Sequence, residues 1–365
     1  MIKALTPENN TESILHQSLN IDDINNPYFI ELEYKNEEKV ILDGKEIVDL
    51  FKERIDPYKN HSTLISKRRN LRPQPDIKDT EYIKVQSCLF DNLDEVAKPT
   101  IKYEEYGTYI APNPFAFNPG FHSIVFTKDH IETIDQIEEK HIEGIFNVLQ
   151  IKALEISKYP NINQLDMGMN FGTNKLKYTS GASQPHLHAQ IGAVYNTGFM
   201  PQQDNIQNIN DYYKNKGIDY EGLYLSAIKS SDLLIIENEN FMAYTPFSPR
   251  FKDEVHIISK NMNIPNILSL DQNKLEDLSK LIYSILKGYQ EMRVRSESGI
   301  LTNVDIKSFN IEILGLRFDR LEGRMLINII PRQTDIAYSE LMGRFVIDRE
   351  PENTANILRK AIKNE

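Results

Sequence analysis

The stretch Ser180-Gly181-Ala182-Ser183-Gln184-Pro185-His186-Leu187-His188-Ala189-Gln190 sets two of the chain's eight histidines two positions apart, directly after a glycine–serine turn. In an extended strand, residues i and i+2 share a face. A strand through the motif therefore predicts a polar row of His186, His188 and Gln190 among small and apolar neighbours. Burying such a row requires a partner, and a phosphate or a metal ion serves best. Upstream, Met167-Gly168-Met169-Asn170-Phe171-Gly172 reads as a strand entering a turn. Asn170 there either orients a phosphate or simply holds the backbone beside the histidines.

Histidine attacks phosphorus when one ring nitrogen is held by a hydrogen bond and the other keeps its lone pair. His188, central in the row, is the candidate nucleophile. Gln190 can donate its amide to a non-bridging phosphate oxygen, Ser183 adds a hydroxyl, and the backbone of Gly181, Ala182 and Ser183 suits a small anion-binding turn. Two satisfied core histidines are the plain structural alternative. A three-histidine metal site is another, although no further ligands are clearly grouped with the pair.

The rest of the composition narrows the class. A chain of 365 residues holds one large domain or two of ordinary size. A 40% hydrophobic fraction with 16 Phe and 18 Tyr is adequate for folded cores. No run approaches the 18 or so apolar residues of a membrane span, and the N-terminus has no apolar core of a secretory signal, so a cytoplasmic protein is expected. The single cysteine, Cys88, excludes an intrachain disulfide and a four-cysteine zinc module. A formal charge of −11, from 42 basic and 53 acidic residues, disfavours a nucleic-acid polymer but leaves room for a nucleotide. The basic run Lys67-Arg68-Arg69-Asn70-Leu71-Arg72 offers Arg68 and Arg69 for its phosphates, or is a solvated loop.

Residues 1–84 read as a polar N-terminal extension packed on the body. Beyond them, Tyr109-Ile110-Ala111-Pro112-Asn113-Pro114-Phe115, continuing to Val125-Phe126-Thr127-Lys128, resembles Phe241-Met242-Ala243-Tyr244-Thr245-Pro246-Phe247, continuing to Ile257-Ile258-Ser259-Lys260, without a gap. Each copy is followed by a helical pattern, over 134–156 and over 271–293, where Leu275, Leu278, Leu281, Ile282 and Leu286 recur on one face. A further strand follows in each, over 187–194 and 324–330. Strand, strand, helix, strand, twice over, predicts an α+β fold of two similar lobes, 85–225 and 226–365, each an antiparallel sheet with packed helices. The second lobe carries Asn328 but no histidine in its last strand, so the nucleophile belongs to the first.

Asn170-Phe171-Gly172 followed by Gly181-Ala182-Ser183-Gln184-Pro185-His186-Leu187-His188-Ala189-Gln190 resembles the active-site motif of the galactose-1-phosphate uridylyltransferases. These belong to the histidine-triad (HIT) superfamily with the dinucleotide and ADP-sugar phosphorylases. The resemblance covers roughly residues 85–362 and implies two HIT-like lobes related by internal duplication. It places a covalently nucleotidylated histidine at His188 and a phosphate contact at Gln190, with Asn170, Gly172, Gly181 and Ala182 lining the substrate. Tyr338-Ser339-Glu340-Leu341-Met342-Gly343 looks like the family's sugar-phosphate segment, with Glu340 on the hexose hydroxyls. The family's structural zinc uses a Cys-X-X-Cys pair with two histidines that match His130 and His186. Here Ser87-Cys88-Leu89-Phe90-Asp91 departs from it, leaving Cys88, Asp91, His130 and His186 as a mixed zinc set or as a remnant held by hydrogen bonds. His256 stands apart as a structural residue. The implied reaction moves a nucleoside monophosphate from a nucleotide sugar to a sugar 1-phosphate, in a possible homodimer and without an organic cofactor. A phosphorylase using inorganic phosphate and a non-catalytic nucleotide-binding protein are the alternatives.

Overall fold

The computed structural model describes residues 30–35, 40–42, 44–47, 50–56, 61–65, 88–93, 96–118, 120–172, 180–196, 200–295, 301–304, 306–334 and 336–363. Arg68 and Arg69, and most of the expected 1–84 extension, lie outside the described residues. Within that extension, strands Ile30–Lys35, Leu50–Asp56 and His61–Ile65 form an antiparallel sheet. Ile41 exchanges backbone hydrogen bonds with Lys98 of the following segment, at 3.1 and 2.9 Å.

The main sheet has ten strands. In chain order these are β1 (Ile101–Tyr103), β2 (Thr108–Pro112), β3 (His122–Thr127), β4 (Ile162–Phe171), β5 (His188–Tyr195), β6 (Leu234–Glu237), β7 (Phe241–Tyr244), β8 (Val255–Ser259), β9 (Phe309–Leu314) and β10 (Leu326–Pro331). Helix α1 (Glu139–Ile156) links β3 to β4, and α2 (Pro201–Lys214) and α3 (Tyr220–Lys229) link β5 to β6. Helix α4 (Gln272–Gln290) lies between β8 and β9; α5 (Tyr338–Leu341) and α6 (Pro351–Lys363) follow the sheet. The strand order is β6-β7-β8-β10-β9-β4-β5-β3-β2-β1, antiparallel throughout. The fold is therefore α+β, with one large antiparallel sheet and packed helices. No helix among the described residues is long and apolar enough to cross a membrane.

Period-two alternation splits the sheet's two faces. In β9, Phe309, Ile311 and Ile313 are buried while Asn310, Glu312 and Leu314 are only half-buried. The apolar face, with Val125, Met167, Met169, Ala189, Ile191, Ile311, Ile327 and Ile257, packs in one core with α1 and α4. Those helices form because their apolar residues recur at i, i+3 and i+4, as Leu275, Leu278, Ile282, Ile285 and Leu286 do in α4, and Asp271 caps α4 by accepting from the Lys274 amide at 3.0 Å.

Among the described residues, apolar side chains cover the opposite face toward its ends. On the β1–β3 side, Cys88, Phe90 and Val96 pack on Tyr109, Ala111 and Phe126. On the β6–β8 side, Leu225 and Ile228 of α3 pack on Met242, Tyr244 and Ile258. Helices α2 and α3 are held to the β9–β10 connection by Arg317–Asp204 at 3.2 Å and by two-pronged Arg320–Asp211 and Arg324–Asp219 pairs at 2.9–3.0 Å. Between the two apolar caps the sheet floor is polar. Gln190 pairs with Gly168, Gly168 with Glu312, Glu312 with Asn328, and Asn328 with His256. Four strand spacings make this trough roughly 19 Å wide.

Candidate active site

Strand β5 starts at His188, so His186 lies outside it. The single row of His186, His188 and Gln190 is thereby divided. His188 and Gln190 share the trough face, while His186, still outside the strand, turns its ring to another cluster.

His188 is 3% exposed, and its Nδ1 donates to the carbonyl of His186 at 2.7 Å. A carbonyl oxygen only accepts, so the neutral ring carries its proton on Nδ1 and its lone pair on Nε2. Phe90 lies edge-on to the ring, centroids 5.3 Å apart, and Phe90 stacks in turn on Phe126 at 4.7 Å. The nucleophile candidate is thus set in one tautomer with an apolar wall beside it.

Gln190 is fixed by a chain of one-way hydrogen bonds. The backbone N–H of Phe117 donates to His122 Nδ1 at 3.1 Å, so the other nitrogen of that ring bears the proton. His122 Nε2 donates to Gln190 Oε1 at 2.9 Å, and Asn113 Nδ2 donates to the same oxygen at 3.3 Å. The Gln190 oxygen therefore faces β3, which leaves its NH2 to the trough. Asn170, on the same face of β4, accepts at Oδ1 from Asn310 Nδ2 of β9 at 2.5 Å. Ala189 pairs with Met169, which sets Asn170 beside His188.

The other predicted contacts are less tightly drawn together. Gly181 adopts φ +80° with nothing near its Cβ position, Ala182 is buried, and its amide donates to Ser180 Oγ at 3.3 Å. Ser183 is exposed on the bend that precedes the histidines. Gly172 has φ +118°, and a Cβ there would lie 2.3 Å from Ser308 Cβ. It permits the close approach of β4 to the strand beside it. Glu340 accepts from the Ala337 amide at 3.0 Å, and among the described residues no hydrogen bond joins it to the His188 group. The excursion that bears it starts and ends on Asp253, which accepts from Gln333 at 2.9 Å and from Arg349 at 2.6 Å.

Cys88, Asp91, His130 and His186 come together, with all ligand atoms within 4.8 Å of one another. His186 Nε2 donates to the Thr127 carbonyl at 2.8 Å, which turns the Nδ1 lone pair to Cys88 Sγ and Asp91 Oδ1, both at 3.5 Å. His130 Nδ1 is 2.9 Å from the same Asp91 oxygen. Burial pushes the His186 pKa down, against the pull of the Thr127 carbonyl, and burial pushes the Cys88 thiol up. Donors around a tetrahedral zinc sit about 3.3–3.7 Å apart, and a ligating histidine commonly anchors its second nitrogen on a carbonyl. The donor set fits a Cys-Asp-His-His zinc. Gln184 Oε1, which accepts from the Leu89 amide at 3.4 Å, ties this cluster's loop to the histidine motif.

At the far end of the trough, Glu254 is buried and binds Arg250 and His256, while Arg250 also meets Glu312 at 2.8 Å. His256 is accordingly held at 3.1 Å by Glu254 in an ion network. The orienting residues His122, Asn113 and Asn310 were not singled out from the sequence. The alternation Phe309-Asn310-Ile311-Glu312-Ile313 marks Asn310 as a face residue, but nothing local says which face it shares with Asn170.

No family model matches the chain. The galactose-1-phosphate uridylyltransferase of Thermotoga maritima is 23% identical over 178 residues, or 46% of this chain and 51% of that protein. The ADP-glucose phosphorylase of Arabidopsis thaliana is 25% identical over 171 residues, 46% of this chain and 45% of that protein. The chain thus spans about half the length of the curated relatives it matches. Among solved structures, an Arabidopsis thaliana ADP-glucose phosphorylase with bound ADP-glucose superimposes with a TM-score of 0.59 at 19% identity, covering 85% of this chain and 99% of the other. A uridylyltransferase superimposes with a TM-score of 0.58 at 18% identity, covering 71% and 85%. These likenesses establish the fold and a distant relationship to the uridylyltransferases and ADP-glucose phosphorylases.

Proposed function

We propose that the protein is a nucleotidyltransferase that moves a nucleoside monophosphate from a nucleotide sugar to a sugar 1-phosphate through a covalent intermediate on His188. The observation that carries this is the Nδ1 bond to the His186 carbonyl, which leaves Nε2 as the attacking atom. In the first step Nε2 forms a bond to the α-phosphorus while the bond to the leaving phosphate oxygen breaks, releasing a sugar 1-phosphate. That group leaves as a phosphate and needs little protonation. The His186 carbonyl steadies the positive charge that grows on the ring, and the Gln190 and Asn170 amides donate to the non-bridging oxygens. In the second step an oxygen of the acceptor phosphate attacks the same phosphorus, and the bond to Nε2 breaks. Zinc on Cys88, Asp91, His130 and His186 would compensate buried thiolate charge and brace the motif from behind.

The matching halves of the sheet support an internal duplication into two HIT-like lobes. The order β1-β2-β3-β5-β4 is repeated by β6-β7-β8-β10-β9, with α1 and α4 in corresponding places. Only the first lobe has the nucleophile, and Glu340 is the candidate hexose contact.

Incubation with UDP-glucose or ADP-glucose labelled at the α-phosphate tests the reading. Wild type is expected to take up acid-labile, histidine-linked label that His188→Ala does not. Discharge by galactose 1-phosphate or glucose 1-phosphate supports the transferase, and discharge by inorganic phosphate alone makes the protein a phosphorylase. No label from any nucleotide sugar or dinucleotide would defeat the covalent mechanism.

A further inference from the structure

Asn310 stands on β9, in the half of the sheet without the nucleophile, yet its side chain makes two hydrogen bonds to the nucleophile's half. Its Nδ2 lies 2.9 Å from the backbone carbonyl of Ser180 and 2.5 Å from the Asn170 side chain. The first contact fixes the identity of the atoms in the second. A backbone carbonyl oxygen only accepts, so the Asn310 atom beside it is the NH2 group. The Asn170 atom that meets the same NH2 must then be its oxygen. Asn170 sits between Asn310 on β9 and His188 on β5, all on one face. With its oxygen drawn toward β9, its NH2 is left to the His188 side.

We infer that Asn310 is a positioning residue. It fixes Asn170 as a donor, never an acceptor, toward an anionic group held at His188, and it pins the chain at Ser180 where the Gly181–Ser183 turn begins. Gln190 is treated in the same way from the other flank, its oxygen held by His122 and Asn113. Two amides thus face the site with their nitrogens, each pinned by its oxygen from outside the motif. An unpinned amide can present oxygen to a phosphate, which repels it; pinning removes that state before substrate arrives. The ligand class is a phosphoryl group with at least two non-bridging oxygens, and in this respect the inference rests on the proposed function.

The experiment is a cycle of Asn310→Ala, Asn310→Asp, Asn170→Ala and the two double variants, read by the single-turnover rate of His188 labelling and by UDP affinity. Asn310→Asp keeps the side-chain shape but offers no donor, so Asn170 must swing its NH2 toward residue 310 and face the phosphate with oxygen. The isosteric variant is therefore expected to be the slower one, by about tenfold to a hundredfold, with Asn310→Ala losing roughly tenfold. In the Asn170→Ala background, Asn310→Ala should cost clearly less than in wild type, the remainder being its lost hold on Ser180. Full multiplicative effects in that background, or a milder loss in Asn310→Asp than in Asn310→Ala, would show a merely structural residue and overturn the inference. Should wild type neither label nor bind UDP, the proposed function fails separately. The pinning is then decided by side-chain amide hydrogen exchange: slow for the Asn310 NH2 in wild type, and slow for the Asn170 NH2 in Asn310→Asp. Fast exchange of the Asn310 NH2 in wild type refutes it.

Discussion

Replacing Glu254 by glutamine tests how far charge holds the far end of the trough. The carboxylate is 1% exposed. It accepts from the Arg250 and Phe251 backbone amides at 2.6 and 3.2 Å, from the Arg250 guanidinium at 2.9 and 3.1 Å, and from His256 Nε2 at 3.1 Å. Burial alone would raise its pKa. The hydrogen bond and charge of His256, joined by Arg250, outweigh burial and hold the carboxyl at about 2 against the ordinary 4.5. Because the folded value is depressed, the unfolded chain takes up the proton first as the pH falls. The stabilisation is complete above about 4.5 and drains away as the pH falls toward about 2. Its size at neutral pH is on the order of 3 kcal/mol. For a chain of this length that corresponds to about 4 °C in Tm. Glu254→Gln has no proton to take up and turns an NH2 toward donors, so it should melt at least that much lower at pH 7. The gap to wild type should narrow steadily between pH 5 and pH 3. Melting followed by circular dichroism across that range checks it, and a gap that stays constant from pH 7 to pH 3 refutes the reasoning.

Two further outcomes are expected. Gly172→Ala meets both an unfavourable backbone angle and Ser308, so it should cost about 2–4 kcal/mol in urea denaturation; a loss under about 1 kcal/mol would mean that the strand ends part without penalty. Zinc should bind at one ion per chain and raise Tm, and Cys88→Ser or His130→Asn should weaken binding by more than roughly tenfold in a competitive chelator titration; equal affinity in all three proteins removes those side chains from the site.

The parts of the site that were legible in the sequence are those made by neighbours along the chain. His188 and Gln190 share a face because a strand has period two, and His186 stands with the zinc set to which the resemblance assigns it. The helices over 139–156 and 272–290 were legible for a similar reason: each is local, and its turn residues and helical spacing stand in one run. The join between β4 and β9 was not legible. It pairs Phe171 with Phe309 and Asn170 with Asn310, across more than a hundred residues, with no periodic signal. Yet that join sets how Asn170 is oriented, because an asparagine read alone is donor and acceptor at once. Only the carbonyl of Ser180, brought to Asn310 by the same join, decides which end of Asn170 looks at His188. His122 works alike on Gln190, since backbone amides at Phe117 and Asn118 take its Nδ1 and leave the other nitrogen to donate. The sequence motif thus names the polar groups of the candidate site. The sheet, through oxygens and nitrogens that have only one role each, determines which way they face.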